Sequence, residues 1–219
     1  MAPPRIALIH AVTFARDTVA DAFSRLWPEA RTVNLTDESL SGDLARAGAL
    51  TPDFATRMGH LARYAVDCGA DGILFTCSAF GAAIGEARNG LPVPVLKPDE
   101  AMIDEALSAG PRIGGLATFA PTIDSLGAEI EAAAARRGLT PEIDLRHVPG
   151  ALDALRAGRA GEHDALIAGA AEDLADCDAL VLAQFSMARA AAAVAGLPHR
   201  RVLTAPDAAV RRLRSLIAA

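Results

Sequence analysis

The sequence predicts an α/β fold made of two pseudo-symmetric halves, each a doubly wound parallel sheet, with an active site in the cleft between them. Three observations carry that expectation. Short apolar runs alternate with helical patterns along the chain, as in a parallel sheet covered by helices on both faces. Blocks of sequence recur: Arg5 returns as Arg112 and Asp71 as Asp178, each 107 residues on. The 219 residues are 52% hydrophobic and 22% charged, which can fill a real core and excludes a disordered chain.

Strands are expected at 5–9, 32–35, 72–76, 93–96, 113–117, 143–148, 179–183 and 201–203, each a short β-branched or apolar run. Helices fill the intervals. Thr51-Pro52 opens one, a capping residue followed by proline at the first helical position, with Phe54, Leu61, Ala65 and Val66 following. Pro121 opens another, with Ile123, Leu126 and Ile130 near helical spacing. Pro206-Asp207 opens the last, with Val210, Leu213 and Ile217 on one face.

The repeat sets the domain organisation. "RIALIHAVTFARDTVADAF" from Arg5 matches "RIGGLATFAPTIDSLGAEI" from Arg112, with Asp17 and Asp124 in step, and "DGILFTCSAFG" from Asp71 matches "DALVLAQFSMA" from Asp178. "GLPVPVLKPDEAM" and "GLPHRRVLTAPDAAV" follow in the same order. The expected halves are 1–98 and 99–205, with a final helix, 206–219, packing back on the first. Ligand sites in such sheets lie beyond the carboxyl ends of the strands. In the repeat, Cys77 corresponds to Gln184.

The net charge of −6 gives no basic footprint for nucleic acid. No 18-residue apolar stretch suits a membrane span, and the N-terminus lacks the apolar region of a signal peptide, so a soluble cytoplasmic protein is expected. Three widely spaced cysteines (Cys68, Cys77, Cys177) argue against a disulfide framework, and five scattered histidines argue against a metal site.

Cys77 ends a buried strand just before a small-residue helix start. A helix N-terminus there would lower the thiol pKa, although a buried cysteine also serves as a small hydrophobe. Together with "VPVLKPDEAM", "IGGLATFAPT", "VLAQFSMA" and "VNLTDESLSGDLARAGALTPD", the segment "FTCSAFG" resembles the aspartate/glutamate/hydantoin racemase superfamily, which includes maleate isomerases and arylmalonate decarboxylases. The resemblance covers nearly the whole chain. It implies a duplicated α/β fold, no cofactor, a small carboxylate or hydantoin-like substrate and a homodimer or higher homo-oligomer. It also implies proton transfer at the carbon next to a carboxylate, with one thiol from each half on opposite faces of that carbon. Here the second thiol's place is taken by Gln184, which is neither acid nor base near neutral pH. That leaves three readings: a racemase-type isomerase, a one-thiol decarboxylase or cis–trans isomerase, and a non-catalytic ligand-binding relative.

The resemblance makes Cys77 the catalytic residue and assigns Thr76, Ser78 and Thr118 to carboxylate binding, with Thr122 next to them; as plain sequence, these hydroxyls read equally as helix caps. His10 ends the first strand and is the alternative base, with an intrinsic pKa near neutrality. Gln184, Phe185 and Ser186 line the equivalent strand end of the second half. Lys97, Asp99 and Glu100 read as capping and solvated charge, and Asp37, Glu38 and Ser39 as a polar loop or lid.

Overall fold

The computed structural model describes residues 2–13, 15–196 and 201–218. The chain forms two compact units, Met1–Glu100 with Ala209–Ala219, and Ala101–Ala208. In chain order the first contains β1 (Arg5–His10), α1 (Ala15–Leu26), β2 (Arg31–Thr36), α2 (Ser39–Ala47), α3 (Pro52–Asp67), β3 (Gly72–Phe75), α4 (Gly81–Ala87) and β4 (Val95–Leu96). The next elements are α5 (Glu100–Ala109), β5 (Arg112–Ala117), α6 (Pro121–Arg136), β6 (Glu142–His147), α7 (Ala151–Arg156), α8 (Ala160–Glu172), β7 (Ala179–Leu182), α9 (Ala191–Val194), β8 (Arg201–Thr204) and α10 (Ala205–Ala218). Each unit holds a four-stranded parallel sheet, ordered β2-β1-β3-β4 in the first and β6-β5-β7-β8 in the second.

All eight expected strands form, with ends shifted by one or two residues. The central strands β3 (GILF) and β7 (ALVL) are buried along their whole length, as unbroken apolar runs in a covered parallel sheet should be. The edge strands β2 and β6 hold no fully buried residue and are largely open to solvent. β4 is shorter than its sequence suggests. Pro94 has no N–H to give a ladder, so regular pairing begins only at Val95, although the Pro94 carbonyl still accepts from Ile73 N at 2.9 Å.

The repeat is visible bond for bond. β1 pairs with β3 through Ile6↔Gly72, and β5 with β7 through Ile113↔Ala179. Arg5 N donates to Asp71 Oδ2 at 2.7 Å, and Arg112 N to Asp178 Oδ2 at 2.9 Å. Thr76 N donates to the Ile9 carbonyl and Ala183 N to the Leu116 carbonyl, both at 3.0 Å. The sequence block that pairs with the "GLP" of Leu91 falls partly on residues 197–200, outside the described residues.

In the first unit the core joins Ala7, Ile9, Ile73 and Phe75 of the sheet to Phe54, Met58 and Ala62 of α3. Gly72 admits α10: a Cβ there would lie 2.8 Å from Ile217 Cδ1 and 3.3 Å from Leu213 Cδ2. In the second unit Leu116, Leu180 and Leu182 pack with Ile167, Ala171 and Leu174. No helix among the described residues is long and apolar enough to cross a membrane.

Candidate active site

In the first unit the segments that leave the carboxyl ends of β1, β2, β3 and β4 carry His10, Asp37, Thr76-Cys77-Ser78 and Lys97-Asp99. His10 is fully buried. Its Nδ1 lies 2.8 Å from Thr76 Oγ1 and its Nε2 lies 2.8 Å from Asn34 Oδ1. A carboxamide oxygen only accepts, so Nε2 carries the hydrogen and Nδ1 accepts from the Thr76 hydroxyl. The Ile9 carbonyl, 3.3 Å from the same hydroxyl, is its alternative acceptor. Burial lowers the His10 pKa; the Asn34 bond opposes this and the Arg16 charge adds to it. His10 is thus a neutral imidazole with both nitrogens engaged across β2, β1 and β3. It could act on a substrate only by giving up one of these bonds. Thr76 is not a helix cap; its hydroxyl belongs to this array.

Cys77 follows β3 in extended conformation (φ −124°, ψ 111°) and precedes a single 3₁₀ turn, Ser78–Phe80, that runs into α4. Phe80 anchors the turn: it is buried, with its ring centroid 5.6 Å from that of Phe54 on α3. The thiol is half-buried at the margin of the core, with Ser78 half-buried beside it. Its pKa is raised, which reverses the sequence expectation. Burial is the main cause; a hydrogen bond from the Ala79 N–H pulls the other way, and the Asp99 charge pushes it further up. One short turn supplies one N–H, which does not offset the desolvation. The resting group is a thiol.

In the second unit the equivalent position holds Gln184. Its Oε1 accepts from Thr118 N at 3.0 Å and lies 3.4 Å from Thr118 Oγ1, while its Nε2 donates to Thr122 Oγ1 at 2.9 Å. Thr118, Thr122 and Gln184 therefore come together. The loop between them is fixed by Thr122 N donating to the Phe119 carbonyl at 3.0 Å. Phe185 and Ser186 are buried in the turn that follows.

Several features were not found by sequence reasoning. Asn34 orients His10 from an edge strand where it reads as an ordinary solvated residue. Asp99, read as solvated, is only 6% exposed. Arg57 on α3 holds Asp37 and Asp43, each at 2.6 Å, together with Ser39, and so pins α2. Ser41 on α2 donates to the Ala11 carbonyl at 3.1 Å, beside the carboxyl end of β1. Phe119 is 53% exposed next to Thr118. Cys68 is exposed, and buried Cys177 donates to the Leu174 carbonyl at 2.9 Å. Among the described residues no cluster of His, Cys, Asp and Glu could hold a metal ion.

A family model described as Asp/Glu/Hydantoin racemase matches residues 12–213. No curated protein matches the chain. Similar solved structures include a glutamate racemase from Bacillus anthracis (14% identity, TM-score 0.74, covering 100% of this chain and 83% of that one). An allantoin racemase from Klebsiella pneumoniae aligns at 19% identity and TM-score 0.72, covering 98% and 88%. The aspartate racemase of Picrophilus torridus aligns at 12% identity and TM-score 0.74, covering 98% and 94%. At these identities the likeness is one of fold.

Proposed function

Since the chain belongs to the Asp/Glu/hydantoin racemase family, we propose that it is a cofactor-independent racemase-type isomerase that transfers a proton at the carbon next to the carboxylate of a small amino-acid-like or hydantoin substrate. Membership itself supports an enzyme of the racemase and isomerase class; the substrate and the residues that act on it belong to the proposal.

The observation that carries it is Cys77, a half-buried thiol beyond the carboxyl end of a central parallel strand, where such folds bind their ligands. In this reading Cys77 exchanges a proton with the substrate carbon on one face. The electron pair left on carbon spreads into the carboxylate as an enediolate. The Ser78 hydroxyl and backbone N–H stabilise that charge, as an oxyanion site does, while Thr76, whose own donors are taken by His10 and Ile9, holds the segment in place. His10 contributes by fixing the Thr76 side chain. Thr118, Thr122, Gln184 and Ser186 supply hydrogen bonds, not proton transfer, with Phe185 as apolar lining. The protein acts as a homodimer or higher homo-oligomer.

A second reading rests on one observation. Gln184 cannot take or give a proton, and its carboxamide is already bonded to Thr118 and Thr122. An enzyme with one working thiol acts from one side only: in a decarboxylase Cys77 protonates the carbanion left when CO2 departs, and in a cis–trans isomerase its thiolate adds to the double bond and leaves again after rotation about the resulting single bond. Incubation with aspartate, glutamate, a 5-substituted hydantoin, maleate and an arylmalonate, followed by chiral chromatography, separates the two. Interconversion of mirror images supports the racemase reading. Loss of CO2 to a single enantiomer, or conversion of maleate to its trans isomer, supports the one-thiol reading and rejects racemisation.

A further inference from the structure

The carboxamide of Gln184 is seated as a ligand would be. β5 and β7 run parallel with Leu116 opposite Leu182, and Ala183 N still reaches the Leu116 carbonyl at 3.0 Å. Beyond that point both chains leave the sheet, and the Gln184 side chain crosses to the segment after β5. Its planar head meets both ends of that segment. Oε1 accepts from Thr118 N at 3.0 Å with Thr118 Oγ1 3.4 Å away, and Nε2 donates to Thr122 Oγ1 at 2.9 Å. Thr118 is buried, and Gln184 and Thr122 are half-buried. Elsewhere in the turn, Thr122 N donates to the Phe119 carbonyl and Ile123 N to the Ala120 carbonyl, both at 3.0 Å. Pro121 has no N–H, and Ala120 brings no capping side chain to the 16-residue helix α6. Neither "TFAPT" (118–122) nor "AQFSMA" (183–188) carries a charge. Asp124, in the first turn of α6, is exposed, where water and salt screen it.

We propose that the Thr118–Thr122 loop is a small-carboxylate site whose resting occupant is the protein's own Gln184 carboxamide, and that an incoming carboxylate binds there by displacing it. A carboxamide and a carboxylate are planar heads of nearly the same size. Hydroxyls rotate, so Thr122, which accepts from Nε2, can donate to a carboxylate oxygen instead. Hydrogen bonds to the charged group are roughly twice as strong as those to the neutral one. The anion also gains from the positive end of α6. The displaced carboxamide, already half-buried only, finds its hydrogen bonds in water. Gln184 therefore weakens the site without closing it, because apparent affinity falls with the fraction of molecules whose site stands open. Gln184→Glu would close it, since the new carboxylate fills the site with its own charge. The inference rests on the reading of the substrate as a carboxylate, but its test needs neither substrate nor turnover. Failure here would leave proton transfer at Cys77 standing, and failure of turnover would leave the displaced carboxamide standing.

The experiment titrates sodium acetate into the full chain and into Gln184→Ala and Gln184→Glu, with sodium chloride at equal ionic strength as the control. The backbone amide signal of Thr118 is followed by heteronuclear NMR. In wild type it should move and saturate at high acetate. In Gln184→Ala the midpoint should fall roughly tenfold, because the two neutral hydrogen bonds of the carboxamide no longer compete. In Gln184→Glu it should not respond. A Thr118 amide that ignores acetate in folded Gln184→Ala overturns the proposal, and so does one that never moves in wild type. A midpoint equal in wild type and Gln184→Ala, a saturating response in Gln184→Glu, or an equal response to chloride does the same. If Gln184→Ala does not fold, Gln184→Asn, one methylene too short to hold both threonines, takes its place and is read in the same way.

Discussion

Gln184 Oε1 accepts the backbone N–H of Thr118 at 3.0 Å. The group that stands where a second thiol would complete the repeat is thus a side chain already committed to the loop for which the family resemblance implies carboxylate binding. Its other end donates to Thr122. The arrangement is neutral and fixes the start of α6.

Replacing Gln184 by leucine should therefore destabilise the second unit. The Thr118 N–H is buried and would lose its acceptor, which costs about 1–3 kcal/mol. Gln184→Glu keeps that acceptor and should lose less. Urea unfolding followed by circular dichroism measures both.

The His10 array predicts a pH dependence of stability. The folded-state pKa of His10 is lowered from its ordinary 6.5, so the unfolded chain takes up the proton first as pH falls. The contribution is complete above pH 6.5 and is lost as pH drops below it. His10→Gln removes this titration. Unfolding midpoints at pH 7.5 and pH 5.5 should therefore differ less in His10→Gln than in wild type, once both are referred to their own value at pH 7.5.

Arg57 joins the segment after β2 to α3 through Asp37, Asp43 and Ser39. The pairs are partly solvated, so their effect is local more than global. Arg57→Ala should raise amide exchange across Ser39–Ala47 while β1 and β3 keep their protection. Hydrogen–deuterium exchange with peptide-level mass spectrometry reads this directly.

The scaffold was legible in the sequence because parallel strands buried on both faces leave unbroken apolar runs, and because the repeat marks the same positions twice. Arg5 with Asp71, and Arg112 with Asp178, are such a pair of positions, and their bonds match. The chemistry around the site was less legible. Asn34 lies on an exposed edge strand, and nothing in "RTVNLT" says that its side chain reaches His10. Asp99 sits in a polar run, "KPDE", in which one acid is buried and the next is paired with Arg88, 12 residues upstream. The direction of the Cys77 shift failed for a quantitative reason. A helix start was visible, but not that it is a single short turn whose one N–H is outweighed by burial.

The central claim is that Cys77 moves a proton at the substrate carbon. The direct measurement is proton NMR in D2O, following deuterium entry at the carbon next to the carboxylate for whichever panel substrate reacts, with wild type, Cys77→Ser and Cys77→Ala. The expected result is exchange in wild type and a loss of about 10²–10⁴-fold in both variants, the range of one acid–base group, with folding unchanged by circular dichroism. Exchange at the wild-type rate in Cys77→Ala would contradict the account and move the chemistry to another residue.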